Sequence, residues 1–174
     1  MAKMLLRRFD YSISAVSDNT QSTPPFWIDM ARLYEMWVLN KLNAAFPDQI
    51  EFQVDGHCRT KVDYIRKDEK IIMDAKYKPH YEDSNRGILD DIREISGYAR
   101  DKKILERLKA DEQEVRCVII YPKPMSLQSD GTDTDADDNC KEIDYFETGE
   151  LIPQCSEINW FRNFYKISVP LPKL

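Results

Sequence analysis

Alternation of hydrophobic and polar residues between Thr60 and Lys78 predicts two short strands joined by a tight polar turn. Val62 and Tyr64 alternate with polar neighbours, the segment 67–70 (KDEK) interrupts the apolar pattern, and 71–73 (IIM) restarts it. Two β-rich runs around a short charged turn are typical of a β-hairpin. We therefore expect a hairpin in this segment.

A long helix is predicted before the hairpin, from about Pro25 to Phe46. Thr23 followed by two prolines is a typical helix start, because a hydroxyl caps the first turn and proline is tolerated there. The segment is apolar nearly all round, which predicts burial. Its expected core stripe consists of Ile28, Ala31, Val38, Leu39, Leu42 and Phe46. A strand over 50–54 and a turn at Asp55-Gly56 should link this helix to the hairpin.

Helical spacing returns after the hairpin, and strand patterns follow it. Two helical pieces are predicted from the apolar positions Ile88, Ile92, Ile95 and Ala99, and from Ile104, Leu105 and Leu108. The segment 115–121 (VRCVIIY) predicts a central strand stopped by Pro122. Segments 143–146 and 164–169 are further candidate strands, with 159–161 packed beneath them. This order predicts an α/β fold, a mixed central sheet flanked by helices.

The chain length of 174 residues suits one domain. We interpret residues 1–22 as an N-terminal arm and 23–174 as the domain. No apolar run is long enough to cross a membrane, and the first residues have too short an apolar core for a secretory signal. The four cysteines form no Cys-x-x-Cys pair, which argues against a zinc site or a disulfide framework. We therefore expect reduced thiols and a cytoplasmic protein.

The net charge of −6 comes from one segment. Between Asp130 and Asp144 there are seven acidic residues and one basic residue, so the rest of the chain is balanced. We interpret about 126–141 as a flexible acidic loop, although its Asp133-x-Asp135-x-Asp137 spacing also resembles a calcium loop. Overall acidity therefore does not exclude a nucleic-acid partner.

Two carboxylates and one ammonium should converge at one end of the hairpin. Side chains alternate along a strand, so Asp74 and Lys76 share a face. Asp63 lies across the hairpin and can reach the same edge. Glu35 lies in the middle of the apolar stripe of the first helix, where a carboxylate needs a partner. That partner is either a neighbouring Lys or Arg, or the site that Asp63 and Asp74 form.

An Asp, a spacer and then Asp-x-Lys is the core signature of the PD-(D/E)XK nucleases, which have a restriction-endonuclease-like fold. Several segments extend the likeness from about Pro25 to Pro122. They read FWIDMARLYEMWV, KVDYI, IIMDAKYK, DDIREISGYARD and CVIIYP. Together they resemble the McrC family, the nuclease subunit of modification-dependent restriction systems. Family members are usually longer, and they work with McrB, a GTP-driven AAA+ partner that recognises modified DNA.

The resemblance implies that Asp63, Asp74 and Lys76 are the motif residues, and that Glu35 is the helix-borne acid of such folds. Hard oxygen ligands suit Mg²⁺ or Mn²⁺. Asp63 and Asp74 would hold the ion with the carbonyl of Ala75 and with Glu35. Lys76 would position or deprotonate the attacking water, or stabilise the phosphate charge.

A second group of residues could contact DNA. Basic side chains that flank the motif suit a phosphate track, or alternatively a solvated hairpin surface. They are Arg59, Lys61, Arg66, Lys67, Lys78 and Arg86. In the family the following helix often carries a glutamine and then a tyrosine. Here Glu94 stands at the expected glutamine, and Tyr98 follows four residues later.

The sequence thus predicts a Mg²⁺-dependent DNA endonuclease, the cleavage subunit of an McrBC-like 5-methylcytosine restriction system with an McrB-like motor as partner. The alternative is a non-catalytic DNA-docking or assembly module that retains the nuclease fold.

The chain contains no Gly-x-x-x-x-Gly-Lys-Ser/Thr loop and no basic recognition helix or zinc module. We therefore predict that the isolated protein binds DNA weakly and that GTP does not affect it. Methylated and unmethylated duplexes, titrated at two salt concentrations, should bind with affinities that differ by less than about tenfold. A larger preference would mean that this chain reads the modification itself.

Overall fold

The fold is built on a mixed six-stranded sheet. The computed structural model describes residues 28–78, 85–123 and 145–171. The predicted N-terminal arm and acidic loop lie outside these ranges, so those two interpretations stay predictions. The helices are α1 (Met30–Ala45), α2 (Asn85–Tyr98) and α3 (Lys102–Leu108). The strands are β1 (Ile50–Asp55), β2 (Lys61–Arg66), β3 (Ile71–Ala75), β4 (Arg116–Pro122), β5 (Ser156–Glu157) and β6 (Phe164–Val169).

The strand order within the sheet is β1-β2-β3-β4-β6-β5. Strands β1, β2 and β3 are antiparallel neighbours, β3, β4 and β6 run parallel, and β5 returns antiparallel to β6. The predicted hairpin is confirmed as β2 and β3, and the predicted central strand as β4. The expectation of an α/β fold with a mixed sheet is also confirmed.

Helices cover both faces of the sheet. Helix α1 packs through Tyr34, Val38 and Leu42 on one face, against residues that include Met73 and Ile120. Helices α2 and α3 pack on the opposite face, where alternate residues of the same strands point. Strands β3 and β4 are therefore buried on both sides, which explains the apolar runs 71–73 and 117–121 within them. This central pair is the rigid support on which the motif residues lie.

Helix α1 is less buried than its composition predicts. It begins after Asp29, whose side chain accepts a hydrogen bond from the Arg32 amide at 3.0 Å. Its buried stripe is Tyr34, Val38, Leu42 and Ala45. Ile28, which precedes the helix, is exposed, and so are Ala31 and three large apolar residues of the first half: Met30, Leu33 and Met36. A helix on one sheet face buries only the stripe that meets the sheet, so the prediction of burial all round was wrong.

Three predictions for the chain after α3 need correction. Tyr145 and Phe146, the described part of the predicted strand 143–146, are not in a strand, although Phe146 is buried against Phe46. Trp160 is 66% exposed rather than packed under the sheet, and only Phe161 contacts Phe164 there. Strand β4 begins and ends one residue later than predicted, so that Pro122 is its last residue and pairs with Val169. A terminal position tolerates proline because its missing N–H interrupts no further ladder bond.

Arg66 belongs to the core and not to a phosphate track. Its guanidinium is 4% exposed, donates two hydrogen bonds to Asp68 and one to the Gly149 carbonyl, and also pairs with Glu69. It stacks over the Phe46 ring at 4.1 Å. Lys67 is likewise engaged, in an ion pair with Glu51. The assignment of Arg66 to DNA contact is therefore corrected, since Arg66 connects the hairpin to the segment around Gly149. The Lys67 side chain is 45% exposed, and its assignment stays a prediction.

We predict that Arg66→Ala destabilises the protein by about 3 kcal/mol or more, because it leaves the Glu69 carboxylate, 10% exposed, without its cation. Urea denaturation should show this loss, whereas Arg93→Ala, at a 74% exposed side chain, should change stability by less than about 1 kcal/mol. Equal stabilities of the two variants would contradict the assignment.

Candidate functional site

The site begins where the β2–β3 ladder ends. Backbone pairing between these strands covers Tyr64–Arg66 and Ile71–Met73. At the next position of β2, Asp63, a side chain takes the place of the backbone pairing. Asp63 Oδ2 accepts a hydrogen bond from the Ala75 amide of β3 at 2.9 Å. Strand β3 stays fixed on its other side, where Ala75 pairs with Ile120 of β4. The hairpin therefore opens at this point and presents its carboxylates there.

Asp74 lies beside Asp63 and is 4% exposed. Each carboxyl group acts on the pKa of the other, so the two lie close together. Burial, the charge of Asp74 and the charge of Glu35 together raise the pKa of Asp63 to about 7. Burial also raises the pKa of Asp74, although the Lys76 ammonium opposes that shift. The fold thus holds two acids close together at a free-energy cost.

Lys76 joins this pair from the same strand. Its Nζ lies 2.8 Å from Asp74 Oδ2 and 2.7 Å from Glu94 Oε2 of α2. Burial lowers the pKa of Lys76, but the two carboxylates more than offset this and raise it. Lys76 is therefore held as an ammonium between two acids.

Glu94 and Tyr98 complete the α2 side of the site. The Tyr98 hydroxyl donates to Glu94 Oε1 at 2.9 Å, and Lys76 donates to the other carboxylate oxygen. Burial raises the pKa of Glu94, but its bonds to Lys76 and Tyr98 outweigh burial and lower it. The resemblance placed both residues near DNA; the structure places Glu94 in direct contact with Lys76, and Tyr98 contacts Glu94 in turn.

Glu35 approaches the site from the other face of the sheet, on α1. Its carboxylate accepts from Arg32 Nη1 at 2.7 Å and from Gln53 Nε2 at 3.4 Å, and its backbone carbonyl accepts from the Tyr64 hydroxyl. Its charge acts on Asp63. The sequence left two partners open for Glu35, a neighbouring base or the site. The structure shows both in part, because Glu35 pairs with Arg32 and its charge acts on Asp63. Its role as a metal ligand stays a prediction.

The predicted phosphate contacts have different environments. Arg59 and Lys61 are exposed at the same end of the sheet and have no ion pair within the described ranges. Lys78 pairs with Asp91 of α2 at 2.7 Å. Arg86 is in α2, and its side chain is outside the described part. Asp91, buried at 4% exposure, was missed by sequence reasoning; its position one turn before Glu94 on α2 was the available signal.

The donor set fits a hard divalent cation in part. Asp74 Oδ2 is buried without a well-directed hydrogen bond, despite its close approach to Lys76. Asp63 and Asp74 crowd negative charge that a cation would neutralise. Within the described residues, however, no three His, Cys, Asp or Glu side chains are grouped to hold a metal ion. The structure therefore groups two carboxylates, Asp63 and Asp74, and does not group Glu35 with them as a third possible metal ligand.

The site residues lie outside the large clefts of the described part of the chain. Two large clefts, of about 670 and 750 Å³, lie elsewhere, one around Arg100 and Arg162 and the other along β1 and α3. Neither contains Asp63, Asp74 or Lys76. Asp74 and Ala75 at the end of β3 are buried, and the exposed part of the site is the side chain of Glu94.

Two further features of the described residues concern membrane-spanning helices and cysteines. No helix there is long and apolar enough to span a bilayer. Cys58, Cys117 and Cys155 are free thiols, as predicted.

Comparison of the chain with family models, curated proteins and solved structures gives a match among the solved structures alone. No family model matches the chain, and no curated protein matches it. Among solved structures, it is similar to a chain in a half-complex from the tetradecameric assembly of Thermococcus gammatolerans McrB AAA+ hexamers with bound McrC. The identity is 19%, the TM-score is 0.46, and the match covers 82% of this chain and 28% of that chain. We draw no functional conclusion from a likeness at this level.

We predict that Asp63→Asn stabilises the protein above neutral pH. A carboxyl whose pKa rises from 3.8 to about 7 on folding stabilises the fold when protonated, at low pH. That contribution is lost as the pH rises through about 7. Asparagine removes the repulsion and can still accept from Ala75, so the variant should gain on the order of 2 kcal/mol at pH 8 and little at pH 4.

Thermal denaturation across this pH range measures the effect. Asp55→Asn, at an exposed position of the neighbouring strand β1, is the matched control and should show no such pH dependence. A gain for Asp63→Asn that is independent of pH would contradict the assigned repulsion.

Proposed function

We propose that this chain is a metal-dependent DNA nuclease domain of the PD-(D/E)XK class. One observation carries the proposal: Asp63, Asp74 and Lys76 converge at the open end of a hairpin, on buried strands. The crowded carboxylates and the raised pKa of Asp63 disfavour the folded state, and such strain is typical of functional sites.

Asp63, Asp74 and the Ala75 carbonyl would hold Mg²⁺ or Mn²⁺, with Glu35 adding negative charge from α1. Such an ion, when bound, lowers the pKa of a water molecule and polarises a phosphoryl oxygen. The protein's own contribution is orientation. The Ala75 amide fixes Asp63, and the burial of β3 fixes Asp74, so neither carboxylate has to be ordered when the substrate binds.

Lys76 then acts as a cation. Its ammonium lies between Asp74 and Glu94 at 2.8 and 2.7 Å, so two negative charges favour the protonated form. Of the roles that the sequence left open, this geometry supports placing the water and stabilising negative charge on the phosphate. It does not support proton abstraction by Lys76.

The biological setting of the proposal comes from the sequence resemblance to McrC. By that resemblance the chain is the cleavage subunit of an McrBC-like restriction system, with DNA as substrate and an McrB-like GTP-dependent motor as partner. Strand presentation by such a partner would supply positioning of the DNA that this chain alone does not provide.

The alternative is a DNA-docking or assembly module without catalysis. It is favoured by the absence of a three-carboxylate group within the described residues. The presence of Asp63, Asp74 and Lys76 in contact distance argues against it, since a docking surface gains nothing from two crowded acids.

We predict that Asp74→Asn and Lys76→Met each reduce nicking of supercoiled plasmid in Mg²⁺ or Mn²⁺ by at least about 100-fold. Asp90→Asn and Lys102→Met, exposed positions on α2 and α3, make the same charge changes and should retain wild-type nicking. Thermal denaturation confirms that each variant is folded.

The same variants test the metal without cleavage. Mn²⁺ should raise the melting temperature of the wild-type protein, and Asp74→Asn should abolish the shift. Wild-type protein that neither nicks DNA nor responds to Mn²⁺ would support the docking module instead.

A further inference from the structure

The solvent side of Lys76 is covered by one carboxylate. Of its two acidic partners, Asp74 has a side chain that is only 5% exposed, whereas that of Glu94 is 46% exposed. The Lys76 side chain itself is 18% exposed. A substrate that approaches the Lys76 ammonium from solvent therefore meets the Glu94 carboxylate there.

Glu94 occupies a small anion-binding arrangement made by two other side chains. Lys76 Nζ donates to Glu94 Oε2 at 2.7 Å, and the Tyr98 hydroxyl donates to Glu94 Oε1 at 2.9 Å. A cation and a hydroxyl that converge on two oxygens of one anion are the donors that a phosphate group also accepts from. The carboxylate thus has the charge and the acceptor geometry of a DNA phosphate.

A second ion pair involving α2, between Lys78 and Asp91, does not leave its carboxylate exposed in this way. Lys78 donates to both oxygens of Asp91 at 2.7 Å, but the Asp91 side chain is 6% exposed and is fixed in the core. Glu94 is held only by contacts at the surface. Because exposed ion pairs contribute little to stability, Glu94 can rotate away without loss of the fold.

We propose that Glu94 stands in for a DNA phosphate in the free protein and is displaced when DNA binds. The phosphate then accepts from Lys76 Nζ and from the Tyr98 hydroxyl in its place. The inference rests on the proposed function for its ligand, and it specifies what two residues of α2 do. Glu94 competes with the substrate for Lys76, and Tyr98 is a phosphate contact.

The test is DNA binding by Glu94→Gln in EDTA, where no cleavage occurs. A fluorescein-labelled duplex is titrated at low salt with wild type, Glu94→Gln and Asp90→Asn. Asp90 is 69% exposed on the same helix and, within the described residues, forms a local ion pair with Arg93. Asp90→Asn therefore controls for the effect of removing one negative charge from α2 on DNA affinity. Glu94→Gln should bind about fivefold more tightly than Asp90→Asn, the upper range for an exposed ion pair.

The double variant Glu94→Gln/Tyr98→Phe should lose most of that gain, because one of the two phosphate donors is gone. Thermal denaturation verifies that the variants are folded. Affinities of Glu94→Gln and Asp90→Asn within twofold of each other, or weaker binding by Glu94→Gln, would overturn the proposal. An unchanged gain in the double variant would overturn the role of Tyr98.

These outcomes are separable from the nuclease assay. Tighter binding by Glu94→Gln in a protein that does not nick DNA would reject the nuclease and retain the displacement. Nicking by wild type together with equal binding by the two charge variants would retain the nuclease and reject the displacement.

Discussion

Mutual repulsion between Asp63 and Asp74 is the interaction on which the interpretation of this protein depends. Two carboxyl groups held close together with little access to water disfavour folding, and the raised pKa of Asp63 reflects that. The arrangement persists because the Ala75 amide binds one acid and the strand end buries the other. Neither acid can move away without loss of that backbone bond or of the packing around β3.

The rest of the fold supplies the rigidity that this repulsion requires. Strand β3 is buried on both faces and continues the sheet into β4 through a parallel ladder from Ile71 to Ala75. Helix α1 packs on one face, and α2 packs on the other, so charges from Glu35 and Glu94 reach the strand end from opposite sides. The end of the hairpin is thus a meeting point of three elements, with Lys76 as the cation that offsets part of the negative charge.

The same charge balance connects catalysis with binding in the two proposals. Lys76 stays an ammonium because Asp74 and Glu94 flank it, and that charge suits the stabilisation of a phosphate. One of the two acids is fixed and the other is exposed. The fixed acid suits a permanent part of the site, whereas the exposed acid suits a group that yields its place to a substrate anion.

The sequence by itself determined most of the helices and strands and the central motif. Strand periodicity located the hairpin and the central strand, and alternation placed Asp63, Asp74 and Lys76 at one sheet edge, because side-chain direction along a strand follows from local geometry. It did not determine which stripe of α1 is buried, that Arg66 is a core residue, or that Asp91 and Glu94 pair with Lys78 and Lys76. Those features depend on how a helix rotates against a sheet and on contacts between residues distant in the chain. Only the tertiary structure decides them, since an apolar or charged residue has the same local pattern whether it faces the core, a partner side chain or solvent.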